Sequence, residues 1–195
     1  MNRCPWCGKD ELYVKYHDEE WGVPVHDDKK HFEFLVLESA QAGLSWLTVL
    51  KKRENYRKAY DNFDVNKVSQ YDENKFEELI QNAGLIRNKM KIASSINNAK
   101  LFIEIQKEFG SFDKYIWSFI DNNAVVNYWN DISEVPATSE FSTKVSKNLK
   151  SRGFKFLGST IIYAHLQATG LINDHLVSCF RHDEVQDRVK TWVRP

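Results

Sequence analysis

The sequence lacks the features that mark secreted and membrane-spanning proteins. Its first ten residues contain no apolar signal core, and no apolar run in the chain is long enough to cross a bilayer. A length of 195 residues suits one ordinary domain, or two small lobes that share a core. We therefore expect a cytoplasmic protein without a membrane partner.

An excess of positive charge is also missing. Basic and acidic residues number 27 each, whereas a protein that coats nucleic acid is usually more basic. Any contact with DNA must therefore come through a local patch of the surface.

Cysteine is scarce, with three residues in the chain. In a reducing compartment so few thiols argue against a disulfide framework, and they leave metal binding or unrelated buried thiols. Cys4 and Cys7 form a C-x2-C pair near one end, and His175 and Cys179 form an H-x3-C pair near the other. If the second pair is helical, its side chains share one helix face, one turn apart.

These two pairs and His17 supply five candidates for the four positions of a tetrahedral zinc site. The spacing leaves a chance arrangement open as an alternative, and it does not choose between Cys4 and Cys7. Two thiolates and two imidazoles would leave no position for a water molecule, so such a site would be structural rather than catalytic. It would tie the two ends of the chain together.

Strand signals are few and helical periodicity dominates, so the sequence predicts an all-α protein. The first thirty residues look irregular and rich in aromatic side chains, and the polar tail after Phe180 is expected to fray. Ser139 or Ser142 is the expected cap of the basic helix. The predicted helices are His31–Ala42, Ser45–Tyr60, Glu73–Asn82, Asn88–Glu108, Phe112–Ile120, Thr138–Arg152 and Ser159–Thr169.

A basic cluster without any acid spans residues 144–155 and leads into a short turn, Lys155–Thr160. An isolated cluster of this kind is commonly a solvated helix face. Here, however, the turn opens an apolar helix, and the backbone N–H groups of a helix N-terminus form a natural phosphate site. We expect the cluster and the turn to hold DNA without reading its sequence, through Lys150, Arg152, Lys155, Gly158, Ser159 and Thr160, with Lys144 and Lys147 nearby.

Glu38 stands out because the helix around it, Phe34–Ala40, is otherwise apolar. Phe34, Leu35 and Ala42 share its helix face. A carboxylate there is costly to bury unless it is paired, so one interpretation is that Glu38 points to solvent at the edge of the face. The other is that it lies in a pocket and binds a ligand that carries positive charge.

Three segments, in this order, resemble the helix-hairpin-helix superfamily of DNA glycosylases. Gly84–Lys89 is similar to the turn that links two helices in that superfamily. Phe156–Thr160 is similar to its DNA-gripping hairpin, with Phe156 in place of the first glycine. Asn173–His175 falls where relatives carry a catalytic aspartate, which corresponds to Asn173 or, with a shift of one residue, to Asp174.

A closer resemblance covers the chain from about Arg3 to about Cys179. The segments that carry it are similar to the DNA-3-methyladenine glycosylase I family, and they are Arg3–Trp6, Tyr16–Pro24, Leu37–Trp46, Arg152–Phe156 and Asn173–His175. The resemblance implies a two-lobed, all-α helix-hairpin-helix glycosylase fold over residues 1–180, with the base pocket between the lobes. A polar tail would follow over residues 181–195.

The resemblance also implies an assignment for the metal site and the pocket. One structural zinc ion would join the two ends of the chain, and Cys7 would be left over. The zinc ligands would be Cys4, His17, His175 and Cys179. The walls that stack on the base would be Tyr16 and Trp46, with Trp6, Tyr13 and Trp21 nearby.

The implied enzyme is a monofunctional, monomeric DNA glycosylase that flips 3-methyladenine out of double-stranded DNA and removes it by hydrolysis. The methylated base is cationic in DNA and departs as a neutral molecule, so it needs little acid–base help. Glu38 would either speed the cleavage or select the base. Two alternatives remain at this point: a non-catalytic, zinc-stapled DNA-binding module of the same fold, and a zinc hydrolase that acts on a small substrate.

Overall fold

The computed structural model describes residues 1–41 and 43–191, with side chains described through Gln186. The predicted helix end at Ala42 and residues 192–195 of the predicted tail lie outside the described residues. Within the described part, no helix combines the length and the apolar character that a membrane span requires.

Helices dominate the described chain, as the periodicity predicts. They are α1 (Glu11–Glu19), α2 (Asp28–Gln41), α3 (Trp46–Ala59), α4 (Val65–Val68), α5 (Glu73–Gln81), α6 (Lys89–Phe109), α7 (Phe112–Ser118), α8 (Glu140–Ser151), α9 (Ser159–Ala168) and α10 (Arg181–Thr191). The short strands β1 (Val125–Val126) and β2 (Ile172–Asn173) pair in parallel, with Val125 opposite Ile172. The all-α prediction is therefore confirmed as a mostly helical fold with one small parallel ladder.

The predicted helices correspond to α2, α3 and α5 to α9, with ends within three residues of those observed. Capping side chains explain several of the starts. Ser45, Asn88 and Ser139 each accept a hydrogen bond from a backbone N–H in the first turn of the following helix. At α8 the alternative between two caps is resolved, because Ser139 is the cap and Ser142 returns a reciprocal hydrogen bond to it.

Helix α2 lies at the centre of the molecule. It packs against α3, α6, α7 and α9, and every residue from His31 to Ala40 is buried. A helix that is buried on all sides carries no solvent-facing stripe. The polar residues in this part of α2 therefore depend on partners inside the protein rather than on water. The core around it is continuous and includes residues from α1 to β2.

The two ends of the chain differ from the prediction. Residues 11–19 form a helix rather than an irregular segment, because Asp10 caps it by accepting a hydrogen bond from Leu12 N–H. The H-x3-C pair is not helical, since residues 174–176 are irregular and residues 177–180 form turns before α10.

The predicted fraying directly after Phe180 is also wrong. The chain continues as α10, whose Arg181, His182 and Val185 are buried. The His182 carbonyl accepts a hydrogen bond from Asn173 Nδ2, and His182 Nε2 lies 3.0 Å from the Asn127 carbonyl. These contacts dock the start of α10 on the small parallel ladder.

Gly170 fixes the end of α9 against the segment that enters α2. Its φ of +73° lies in the left-handed region, and a Cβ there would meet the Pro24 nitrogen at 2.4 Å and the Val23 carbonyl carbon at 2.5 Å. Only glycine satisfies both requirements. The neighbouring hydrogen bond from Val25 N–H to the Thr169 carbonyl, 3.0 Å long, holds the same contact.

Candidate functional site

A cavity of about 230 Å³ opens between the N-terminal segment, α2 and α9. The side chains that the resemblance assigned to the base pocket all contribute to its lining. The lining residues are Trp6, Tyr13, Tyr16, Trp21, Glu38, Gln41, Trp46, Ile132, Val135, Ala164, Gln167 and Asp174. Sequence reasoning missed the two glutamines and the segment around Ile132 and Val135. For Gln167 no motif gave a signal, because it lies at an ordinary position of an apolar helix.

The aromatic residues pack around the cavity with their rings tilted or edge to face. Trp6 lies 5.1 Å from Tyr13 and 4.9 Å from Trp21, measured between ring centroids, and its ring is tilted against both. Tyr16 and Trp46 are 5.6 Å apart with an angle of 49° between their planes. A base between two parallel rings needs about 7 Å, twice the contact distance of carbon atoms. The predicted sandwich between Tyr16 and Trp46 is therefore not preformed in this conformation.

Glu38 is buried, with 4% of its surface exposed, so the interpretation that it points to solvent is wrong. Its carboxyl group lines the cavity, and no described residue donates a hydrogen bond to it. Burial raises its pKa from 4.5 to about 8, and the positive charge of Arg53 offsets only part of this shift. A carboxyl group in this position favours its neutral form until a cationic partner arrives.

Arg53 does not pair with Glu38, because other carboxylates hold its guanidinium. Its Nη atoms donate to Glu20 at 2.6 and 2.8 Å, and its Nε donates to Glu33 at 2.8 Å. Lys30 and Arg57 add positive charge to the same two acids. This network satisfies the buried charges behind the cavity and leaves Glu38 unpaired.

Asp174 and Asn173 take different positions. Asp174 is buried and lines the cavity, where its two oxygens accept hydrogen bonds from four donors. The donors are Asn127 Nδ2 at 2.7 Å, Trp129 Nε1 at 2.7 Å, Tyr163 OH at 2.5 Å and Gln167 Nε2 at 2.7 Å. Asn173 instead donates from Nδ2 to the His182 carbonyl and accepts at Oδ1 from the His175 backbone N–H. Of the two alternatives for an aspartate at this place, only Asp174 faces the cavity.

A second cluster lies behind the aromatic wall and could hold a metal ion. The ligand atoms of Cys4, His17, His175 and Cys179 lie within 4.8 Å of one another, and all four residues are buried. Cys7 is not among them. Its Sγ donates to the Cys4 carbonyl at 3.2 Å instead, so the geometry separates the two cysteines that spacing could not distinguish.

The second nitrogen of each histidine is held by a neighbour. His17 Nδ1 lies 2.8 Å from Asp18, whose carboxylate also accepts two hydrogen bonds from Arg3 Nε and one from Arg3 Nη2. His175 Nε2 lies 3.1 Å from the Trp21 carbonyl. When these nitrogens carry the protons, the lone pairs of His17 Nε2 and His175 Nδ1 face the sulfurs of Cys4 and Cys179 and are available to a metal ion.

The turn between α8 and α9 carries a groove lined by lysines. Lys147, Lys150 and Lys155 border it, together with Phe156, Gly158 and Ser159. Thr160, the second residue of α9, is exposed beside it. No side chain caps the start of α9 at Gly158, so the first backbone N–H groups of this helix are free of a side-chain acceptor.

One residue of this turn takes a backbone conformation that glycine favours. Phe156 has a φ of +57°, in the left-handed region, and 39% of the residue's surface is exposed. Arg152 does not reach the groove. Its guanidinium donates to Glu108 at 2.6 and 3.0 Å and lies over the ring of Tyr115, so the expected phosphate contact is not preformed at this residue.

The sequence and the fold both match known proteins. The methyladenine glycosylase family model matches residues 6–182. DNA-3-methyladenine glycosylase 1 of Escherichia coli (strain K12) is 48% identical over 179 residues, which cover 92% of this chain and 96% of that protein. A crystal structure of 3-methyladenine DNA glycosylase I superposes with a TM-score of 0.90 at 45% identity and covers 93% of this chain and 100% of that one.

A further solved structure contains a ligand. A tyrosine-to-phenylalanine variant of 3-methyladenine DNA glycosylase I, in complex with 3-methyladenine, superposes with a TM-score of 0.90 at 36% identity and covers 93% of this chain and 98% of that one. Both the matched family model and the relatives span nearly the whole chain. The chain therefore belongs to the methyladenine glycosylase family.

Proposed function

We propose that this protein is a monofunctional DNA glycosylase that releases 3-methyladenine from alkylated double-stranded DNA by hydrolysis and leaves an abasic site. The relatives at 45–48% identity carry the names of such enzymes. The observation in the molecule that supports the proposal most strongly is Glu38, an unpaired buried carboxyl group in an aromatic cavity. On this proposal residues 1–180 act as one two-lobed catalytic domain.

The cavity suits a flat cation. 3-Methyladenine carries positive charge while it is attached to deoxyribose, and aromatic rings attract a cation to their faces. Entry of this cation favours ionised Glu38 by direct attraction in a site that excludes water. Because Tyr16 and Trp46 touch each other, the base stacks on one of these rings, or the rings separate as it enters.

The reaction requires little acid–base catalysis from the protein. Water adds to C1′ of the sugar and releases a proton, the bond from C1′ to N9 breaks, and its electron pair leaves with the base, which becomes neutral. Base flipping is easier for a damaged base than for a normal one. Recognition is then the main task of the cavity, and Glu38 contributes by accepting a hydrogen bond and by balancing the positive charge.

Changing Glu38 to Gln keeps the shape of the side chain but removes its charge and one acceptor. A hydrogen bond to a charged group contributes roughly 1.5–3 kcal/mol, so we expect release of 3-methyladenine from methylated DNA to fall roughly ten- to a hundredfold. Chromatography of the released bases measures the rate, and titration with free 3-methyladenine should show weaker binding.

The matched control is Glu104→Gln, an exposed glutamate of α6 that pairs with Lys107. This control should release the base at the wild-type rate. Wild-type protein that binds methylated DNA without releasing a base would support the non-catalytic DNA-binding module instead. Equal rates for Glu38→Gln and wild type would show that Glu38 does not recognise the base.

We also propose that the four-residue cluster holds one structural zinc ion. At the bond lengths usual for zinc, tetrahedral geometry separates a sulfur ligand from a nitrogen ligand by about 3.6 Å. Cys4 Sγ lies 3.6 Å from His175 Nδ1, and Cys179 Sγ lies 3.5 Å from His17 Nε2 and 3.6 Å from His175 Nδ1. The donor set and its spacing therefore fit zinc. Four protein ligands leave no position for a reacting water, which argues against a zinc hydrolase.

Two cysteine variants separate the ligands from the bystander. Elemental analysis should find one zinc per chain in the wild type and in Cys7→Ser, because Cys7 lies outside the cluster. Cys179→Ser should lose the metal and unfold at a lower temperature, since metal binding contributes to folding. Zinc retained by Cys179→Ser, or lost from Cys7→Ser, would overturn this ligand assignment.

For DNA we propose that the turn Lys155–Thr160 and Lys150 grip phosphates. The uncapped N-terminus of α9 offers backbone N–H groups, and the lysines around the groove supply charge. Arg152 stabilises the start of this segment instead, because its guanidinium donates to Glu108 and lies over the ring of Tyr115.

Lys150→Ala and Arg152→Ala should therefore differ. Lys150→Ala should weaken binding to all DNA sequences about equally. It should also reduce the slope of log affinity against log salt concentration by about the amount that one phosphate contact contributes. Arg152→Ala should lower the melting temperature and leave the salt dependence close to that of the wild type. Fluorescence anisotropy at several salt concentrations measures the DNA affinity and salt dependence of both variants, and thermal unfolding measures the melting temperature. The reverse pattern would show that Arg152, and not Lys150, contacts a phosphate.

A further inference from the structure

Gln167 lies on α9 and lines the same cavity as Glu38 and Asp174. A glutamine amide has a donor end and an acceptor end of nearly equal shape, so what it can recognise depends on which end faces the ligand. The surroundings of Gln167 settle this orientation.

Asp174 determines which end of the Gln167 amide faces inward. Three further donors converge on the Asp174 carboxylate, from Asn127, Trp129 and Tyr163. With both oxygens accepting, Asp174 presents no donor to its neighbours. Gln167 must therefore turn its NH₂ group toward Asp174, as the 2.7 Å distance between Gln167 Nε2 and Asp174 Oδ2 shows, because the opposite orientation would set oxygen against oxygen.

The acceptor end of Gln167 is then free. No described residue donates a hydrogen bond to Gln167 Oε1. This oxygen is not shielded from solvent either, so a ligand can reach it. Because Gln167 lines the cavity, this oriented oxygen is available to accept a hydrogen bond from a ligand that enters.

We propose that Gln167 is a specificity-determining residue, whose Oε1 accepts a hydrogen bond from the exocyclic amine of 3-methyladenine while Asp174 holds the amide in place. This inference rests on the proposed function, because it assumes that the base enters this cavity. Asp174 acts as a positioning residue through Gln167.

The chemistry of the base supports the assignment. In 3-methyladenine the amine at C6 carries both of the N–H groups, whereas N1 and N7 are acceptors. Glu38 on α2 and Gln167 on α9 belong to different walls of the cavity, and each offers an oxygen. Two acceptors match the two N–H groups of one amine, and they would repel a ring that carries an oxygen at this position.

A pair of ligands tests the hydrogen bond in one protein. Gln167→Met keeps the length of the side chain and removes the acceptor. It should weaken the binding of 3-methyladenine by about two- to tenfold, the effect of one neutral hydrogen bond. It should leave the binding of 3-methylpurine, which lacks the amine, within twofold of the wild type. Isothermal titration calorimetry measures all four dissociation constants.

The matched control is Gln106→Met. Gln106 also donates its amide to an aspartate, Asp28, at 2.7 Å, but it lies on α6 and does not line the cavity. This variant should bind both ligands as the wild type does. Equal weakening of both ligands by Gln167→Met, or no weakening of 3-methyladenine, would overturn the proposal.

A measurement on the wild type covers the case that Gln167→Met does not fold. The side-chain carbonyl ¹³C resonance of Gln167 should move downfield when 3-methyladenine is added and should not move with 3-methylpurine. The same response to both ligands would contradict the hydrogen bond. Failure of the proposed function is distinguishable, because the wild-type protein would then release no 3-methyladenine from methylated DNA, whatever the binding data for Gln167→Met show.

Discussion

The site depends on the burial of one carboxyl group without a partner. A shift in the pKa of Glu38 from 4.5 to about 8 corresponds to about 5 kcal/mol against its charged form. The protein could relieve this cost with a nearby cation, yet Glu20 and Glu33 occupy Arg53, the cation behind the cavity. The central helix α2 excludes water from the other sides. A cationic ligand that binds beside Glu38 favours the ionised form of its carboxyl group and so offsets this cost.

The metal cluster and the cavity form one structural unit. Trp6 follows Cys4 of the cluster in a tight turn, and Tyr16 precedes His17 of the cluster. The Trp21 carbonyl contacts His175, and Asp174 comes directly before His175 in the chain. The residues that tie the chain ends together thus also set the positions of the cavity walls. The proposed zinc ion, with four protein ligands, would in this way influence recognition without taking part in the reaction.

Much of this arrangement could be predicted from the sequence, for identifiable reasons. Helical periodicity and a capping residue such as Ser139 are local signals, and they placed the long helices within a few residues. The apolar helix around Glu38 singled out that residue, and the motif resemblance added five aromatic residues; all six line one cavity. Local signals failed where tertiary contacts decide the structure: α10 is polar, yet buried contacts of His182 and Val185 hold it. The engagement of Arg152 by Glu108, 44 residues away, and the orientation of Gln167 by Asp174 are likewise invisible in a linear pattern.

If Glu38 stays without a partner until the base arrives, its carboxyl group must titrate well above the usual range in the free protein. Carboxyl ¹³C NMR of the wild-type protein without ligand, with the Glu38 signal assigned by its loss in Glu38→Gln, gives its pKa. We expect a pKa of about 8. A pKa near 4.3, that of a solvated glutamate, would show instead that the side chain is solvated or paired in the free protein.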